Sequence, residues 1–174
     1  KFSIAAISGN YDASWDDAKK QWTGTWTQAG TPLPLALTRG TKAEAPKPKR
    51  PQEEAIAAGP LPYQDQQVTF DNASAHVTLA GTLTRPEGKG PFPAVVLISG
   101  SGPNTRDEAV FDHKVFVVLA DHLARQSIAV LRYDKRGIGK STGDYAQATT
   151  DDFTSDAEVA AAWLRTQPGI DLRP

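Results

Sequence analysis

The sequence predicts an α/β fold: a β-hairpin leads into a parallel strand–helix–strand unit, and a small antiparallel β region comes first. Three observations carry this. Ala94–Ser99 (AVVLIS) and Ile128–Tyr133 (IAVLRY) are nearly continuous apolar runs, as expected of parallel strands covered on both faces. Between them Phe111, Val115, Val118, Leu119, His122 and Leu123 recur at helical spacing, which predicts a helix over about 110–126. The first strand runs into Ser99-Gly100-Ser101-Gly102-Pro103, at the carboxyl end of a strand, where open α/β sheets hold their ligands.

In chain order, residues 2–39 read as all-β. FSIAAI is apolar, Tyr11, Ala13 and Trp15 alternate with Asp12, Ser14 and Asp16, and Trp22, Gly24 and Trp26 share a face opposite Thr23, Thr25 and Thr27. Turns at Gly9-Asn10, Asp16–Lys19 and Gly30-Thr31-Pro32 complete an antiparallel meander of about four strands. We read Trp15, Trp22 and Trp26 as core rather than as a binding platform, because large aromatics are the main apolar payload available to so small a sheet. Four short strands bury little, so residues 1–40 are expected to be the carboxyl-terminal strands of a larger β domain.

Residues 41–60 form a Pro/Lys-rich linker, with Pro46, Pro48 and Pro51 favouring an extended, semi-rigid spacer. Lys47, Lys49 and Arg50 are flanked by Glu44, Glu53 and Glu54, which favours a solvated segment over an anion contact. Residues 61–174 form the α/β domain. QVTF and HVTLAGTLTRP make its hairpin, and His76 falls on the surface of that hairpin. Thr149 and Asp152 stand at capping-box spacing before a helix over about 151–166, stopped by Pro168-Gly169. Such a helix should lead into a third parallel strand, which we place beyond Pro174.

Composition excludes several classes. The 174 residues contain no cysteine, which removes disulfides, thiolate catalysis and zinc–sulfur sites. They contain no methionine either, so we expect the amino terminus to be that of a cut chain. The net charge of −1 offers no basic field for nucleic acid. No apolar run approaches the ~18 residues of a membrane span. No metal site or cofactor is expected, since His113 and His122 are not at the helical spacing of a ligand pair.

Two motif matches are rejected. In Gly139-Lys140-Ser141 the phosphate-loop pattern would place Asp134 where its first glycine belongs, and a carboxylate there repels phosphate. Gly139–Gly143 also matches G-x-S-x-G, but a nucleophile elbow needs its serine directly between strand and helix, and Ser141 is several residues from both. Ser141 is therefore assigned a loop-bracing role, and Asp134 and Arg136 are expected to form a charge-assisted pair that braces the same loop. For Gly100, Ser101 and Gly102 the pattern leaves two readings open. One is a tight strand–helix turn. The other is a cradle of amides aimed at an oxygen that becomes negative during acyl transfer, where each donor is worth about 3–4 kcal/mol.

SGSGPNTRDE, IAVLRYDKRGIGKSTGDY and DDFTSDAEVAAAWLRTQ resemble bacterial α/β-hydrolases of the EstD-like esterase group, near the serine aminopeptidase-like hydrolases. GTWTQAGTPLPLALTR resembles the end of the small β domain that precedes such hydrolases in secreted proteins. The resemblance implies a mostly parallel sheet, a Ser–His–Asp triad, and Gly100–Gly102 as the oxyanion loop with the Ser101 amide as leading donor. The loop departs from relatives at Ser99, where histidine is frequent, and at Thr105, where an acid is. The resemblance places nucleophile, acid and histidine beyond Pro174; none of the triad falls within 1–174. The chain is thus expected to be the amino-terminal half of an α/β-hydrolase sheet, preceded by the end of a small antiparallel β domain, and inactive alone. Its expected partners are the remainder of the same protein, covering the Ala94–Ser99 edge, and a small-molecule ester. The expected location is periplasmic or secreted. A peptidase or thioesterase of the same fold and a non-catalytic binding module are the alternatives.

Overall fold

The computed structural model describes residues 1–40, 48–171 and 173. Expectations that rest on Glu44, Pro46 and Lys47 lie outside the described residues. Two compact units, Lys1–Pro48 and Lys49–Pro174, make up the chain.

The first unit is a meander of β1 (Phe2–Ile4), β2 (Gly9–Asp16), β3 (Gln21–Gln28) and β4 (Thr31–Thr38), antiparallel and in that spatial order. Its register sets Trp15 opposite Trp22 and Trp22 opposite Leu37, and likewise Tyr11, Trp26 and Leu33, so one face is apolar and the other carries the threonines. Gly24 is required in β3, because a Cβ there would come within 2.1 Å of the Asp12 carbonyl oxygen. Tyr11 is buried and donates its hydroxyl to the carbonyls of Trp22 and Leu35 at 3.2 and 3.0 Å. Trp15 and Trp22 do not form core: they meet edge to face at 5.5 Å and stay 38% and 44% exposed. A single sheet has no second layer within the unit to cover them.

The second unit opens on α1 (Pro51–Ala58), a helix where an extended spacer was expected. Pro51 occupies the first helical turn, where its missing N–H costs nothing, and Glu53 and Glu54 complement the helix dipole. β5 (Tyr63–Asn72) and β6 (Val77–Pro86) form the predicted hairpin, closed by exposed His76 in a left-handed conformation. β7 (Ala94–Leu97) follows. The next residues differ from expectation, because β8 (Ala109–Val110) and β9 (His113–Lys114) make a small hairpin and α2 begins only at Val115, running to Arg125. Phe111 and Asp112 at its tip have positive φ, which no helix admits.

β10 (Ala129–Tyr133) inserts between β6 and β7, antiparallel to the first and parallel to the second, giving the order β5-β6-β10-β7. Leu79, Leu83, Ala129 and Leu131 are fully buried with Ala160 of α3 (Thr150–Arg165), and Phe70 stacks on Trp163 at 5.3 Å. No third parallel strand forms among the described residues, but an isolated rung does. Ile170 forms a parallel bridge with Phe92, whose N–H donates to Gly169 and whose carbonyl accepts from Asp171, each at 2.8 Å. Pro168-Gly169 ends α3 close enough to the sheet for this rung to form on the outer side of β7. Further along that edge Val95 and Ile98 are 37% and 57% exposed.

The capping box forms as read. Thr149 Oγ1 accepts from the Asp152 N–H at 3.3 Å and the Asp152 carboxylate accepts from the Thr149 N–H at 2.9 Å. Thr149→Ala is expected to cost about 1 kcal/mol, measured by urea titration; a loss below about 0.3 kcal/mol would mean that the cap carries no load at this helix end.

Candidate functional site

Two loops meet at the carboxyl ends of the parallel pair β7 and β10: residues 98–108 after β7 and residues 134–145 after β10. Asp134 is the joint between them. It is 3% exposed, and its carboxylate accepts from the Arg106 N–H (2.8 Å), Arg106 Nε (3.0 Å), Arg106 Nη2 (2.7 Å) and the Lys140 N–H (3.0 Å). Burial opposes its ionisation, but the Arg106 side chain and the two amides outweigh it and hold the carboxyl below its ordinary value. The turn at Gly139-Lys140-Ser141 therefore wraps a carboxylate of its own chain. Gly139, at φ +58°, packs so closely that a Cβ would come within 2.5 Å of Asp134 Oδ2. Ser141 donates its hydroxyl to the Asp134 carbonyl at 2.7 Å and accepts from the Ala80 N–H at 2.9 Å.

The expected Asp134–Arg136 pair does not form. The chain turns after β10, so strand alternation ends and the two side chains leave on opposite sides. Arg136 reaches α3, where Nε and Nη2 each donate to Asp156 at 2.8 Å and Nη1 donates to Asp152 at 2.6 Å. Asp156, 1% exposed, also accepts from Asn72 Nδ2 at 2.9 Å, which ties α3 to the end of β5. These ion pairs raise the Arg136 guanidinium above its ordinary value, the bond to Asp156 most.

The Gly100–Gly102 loop is held by its carbonyls. Asn104 Nδ2 donates to the carbonyls of Gly100 (3.1 Å) and Ser101 (3.0 Å), and Lys135 Nζ donates to those of Gly100 and, at 2.9 Å, Gly102. Glu108 accepts from the Gly100 N–H at 3.2 Å and from Asn104 Nδ2 at 3.2 Å. Among the described residues the Ser101 and Gly102 N–H groups have no partner. Both residues line a cleft of about 410 Å³ with Ile98, Tyr133, Lys135 and Phe153. Burial, and then the Asp156 charge, push the Tyr133 phenol up to about 12, so it stays neutral there. Two free amides beside such a cleft can hold an oxygen that carries negative charge. No histidine lines this cleft. His76 and His122 are exposed, and His113 pairs through Nδ1 with Glu53 at 2.5 Å, anchoring α1. Among the described residues no cluster of acids and histidines is placed to hold a metal ion, and no helix is long and apolar enough to cross a membrane.

Residues 75–171 match the X-Pro dipeptidyl-peptidase (S15 family). The chain belongs to this family. Esterase EstD of Thermotoga maritima is 33% identical over 161 residues, an alignment covering 92% of this chain and 36% of the relative. The S15-family chain described here thus spans about a third of that curated relative's length. Among solved structures, DcsB in complex with its substrate analogue gives a TM-score of 0.50 at 18% identity, covering 62% of this chain and 34% of its own. The α/β hydrolase GrgF from Penicillium sp. sh18 gives 0.48 at 23% identity, covering 62% and 34%. The fold is that of an α/β-hydrolase, with the antiparallel hairpin β5–β6 leading into the parallel unit β7–α2–β10.

In this S15-family chain the sequence reading named Gly100, Ser101, Gly102, Asp134, Arg136 and Ser141, and all six lie in or beneath the two loops. It missed the residues that hold them: Arg106, Asn104, Glu108, Lys135 and Asp156. Arg106 and Lys135 carried a usable signal, since each is a cation beside a Gly-rich turn. Asp156, in the middle of a helix with an ordinary polar face, carried none.

Proposed function

We propose that this chain contributes the oxyanion-binding loop of a serine hydrolase that acts on carboxylic esters through an acyl-enzyme. One observation carries the reading: the acceptors of Gly100–Gly102 are held by side chains while the Ser101 and Gly102 amides are left free beside a cleft. The naming of a 33% identical relative as an esterase supports the ester as substrate. In this reading a serine attacks the acyl carbon, a histidine takes its proton and returns it to the leaving alcohol, and the Ser101 amide binds the oxyanion. The triad comes from sequence outside this chain, and no cofactor is needed. Residues 61–174 supply the first part of the hydrolase domain, 41–60 the connection, and 1–40 the end of a β domain. The protein works in the periplasm or outside the cell, a placement favoured by resemblance to secreted esterases and compatible with the lack of cysteine.

The family's description as a dipeptidyl-peptidase favours a second reading, cleavage after an X-Pro dipeptide. Full-length protein containing this chain, treated with a fluorophosphonate, should gain one adduct by intact mass. It should then be assayed on p-nitrophenyl acetate and on Gly-Pro-p-nitroanilide. Hydrolysis of the ester alone supports the esterase; a higher kcat/KM on the anilide assigns the peptidase; no adduct removes both and leaves a binding module. This chain by itself is expected to turn over neither substrate, and turnover that disappears in Ser141→Ala would make Ser141 the nucleophile.

A further inference from the structure

We propose that Lys135 is a positioning residue that sets and strengthens the Ser101 amide through the carbonyl of the same peptide group. The inference rests on the oxyanion reading above and names the device that makes the loop work. Gly100 C=O and Ser101 N–H belong to one peptide unit. That carbonyl accepts from two side chains at once, the Lys135 ammonium and Asn104 Nδ2. A cation on the oxygen draws electron density through the amide, so the N–H at its other end becomes a better donor. Lys135 also holds the Gly102 carbonyl at 2.9 Å, so one ammonium pins the Gly100–Ser101 and Gly102–Pro103 peptide planes, while Asn104 Nδ2 holds the Ser101–Gly102 plane between them through the Ser101 carbonyl. Rotation of the loop that would turn a carbonyl toward the cleft breaks one of these bonds.

The ammonium is itself held in place. It lies 5.3 Å from the ring centre of Phe153 and 5.9 Å from that of Tyr145, within cation–π range of both. Among the described residues it forms no ion pair, so its charge acts on the loop without a carboxylate to neutralise it. The neighbouring cations differ in this respect: Arg106 and Arg136 are each paired with a buried aspartate. Lys135 lines the cleft, so its field also reaches the space where the reacting oxygen would lie.

The test uses the full-length protein with Lys135→Met and Lys135→Arg. For Lys135→Met, kcat on p-nitrophenyl acetate is expected to fall about 10- to 100-fold, less than the loss of an oxyanion donor outright, with KM changed by less than about twofold. Affinity for phenylboronic acid, whose tetrahedral adduct mimics the oxyanion, should fall in the same proportion as kcat/KM. The Ser101 amide proton should shift upfield in the NMR spectrum, and Lys135→Arg should restore most of each effect. Should Lys135→Met not fold, Asn104→Ala removes the other donor to the Gly100 carbonyl and must show the same kcat-only loss. An unchanged kcat, an unmoved boronate affinity, or a rise in KM alone would overturn the proposal, the last making Lys135 a substrate contact. Failure of the wild-type protein to take a fluorophosphonate adduct would instead sink the hydrolase reading itself, which keeps the two failures apart.

Discussion

Asp134→Asn is expected to cost about 3–5 kcal/mol of folding free energy, the range for breaking a buried ion pair from one side. The argument is one of donors facing donors. Asp134 accepts four N–H groups from Arg106 and Lys140. An asparagine keeps one acceptor oxygen and turns an NH₂ group toward the remaining donors. Among the described residues the Arg106 guanidinium, with the residue 9% exposed, keeps only Gln67 and Thr82 as neutral partners, at 3.0 and 3.2 Å. Adding Arg106→Met removes the stranded charge, so the double variant is expected to be more stable than Asp134→Asn alone. Urea unfolding of the wild type and the three variants closes the cycle. A single-variant cost under about 1 kcal/mol would show the pair to be solvated.

The same group gives a pH dependence of definite sign. Its folded-state value lies below the ordinary one, so the stabilisation it adds is fully present above about pH 4 and is lost as pH falls through the lowered folded value. The stability gap between wild type and Asp134→Asn should therefore narrow on acidification below about pH 4 and stay flat from there to neutrality.

Arg136→Met should be comparably severe, about 3–5 kcal/mol, by the opposite mechanism: it strands an anion. Asp156 would keep Asn72 Nδ2 as its remaining side-chain donor while staying 1% exposed. Arg136→Lys preserves charge but not the two-pronged geometry, in which Nε and Nη2 each meet one carboxylate oxygen, and should recover less than half of the loss. Asp156→Asn added to Arg136→Met should recover more, because it removes the unpaired charge. Thermal unfolding of the set separates these outcomes; equal melting temperatures for Arg136→Met and the double variant would refute the stranded-anion account. The damage also reaches the cleft, because Phe153 and Asp156 sit on the same turn of α3 and both line it.

Much of this protein is legible in its sequence. The apolar runs at β7 and β10, the alternation of β5 and β6 and the Thr149–Asp152 cap are local patterns, and each reports on chemistry within a few residues. The structure departs from the sequence pattern where distant partners decide the outcome. A helix was expected from residue 110, but Asp107 and Glu108 are held by Arg132 and by the Gly100 loop, and the chain between them and α2 closes into a hairpin instead. Pro51 suggests an extended spacer, yet it starts a helix anchored by Glu53 to His113, sixty residues away. Nearness in sequence suggests an Asp134–Arg136 pair, but each finds its partner elsewhere, Asp134 in Arg106 and Arg136 in Asp156.

What the residues determined unaided was the first meander, the β5–β6 hairpin, the buried strands β7 and β10, the helix α3 and the two Gly-rich turns, because strand and helix periodicity and the allowed φ of glycine are properties of short segments. Which cation meets which anion was decided only by the sheet. β10 enters between β6 and β7, and that insertion alone brings Arg106 under Asp134 and Lys135 against the Gly100 carbonyl. A charge on a long side chain pairs with whatever the backbone carries within its reach, and in this fold that reach crosses from one strand's exit loop to the next.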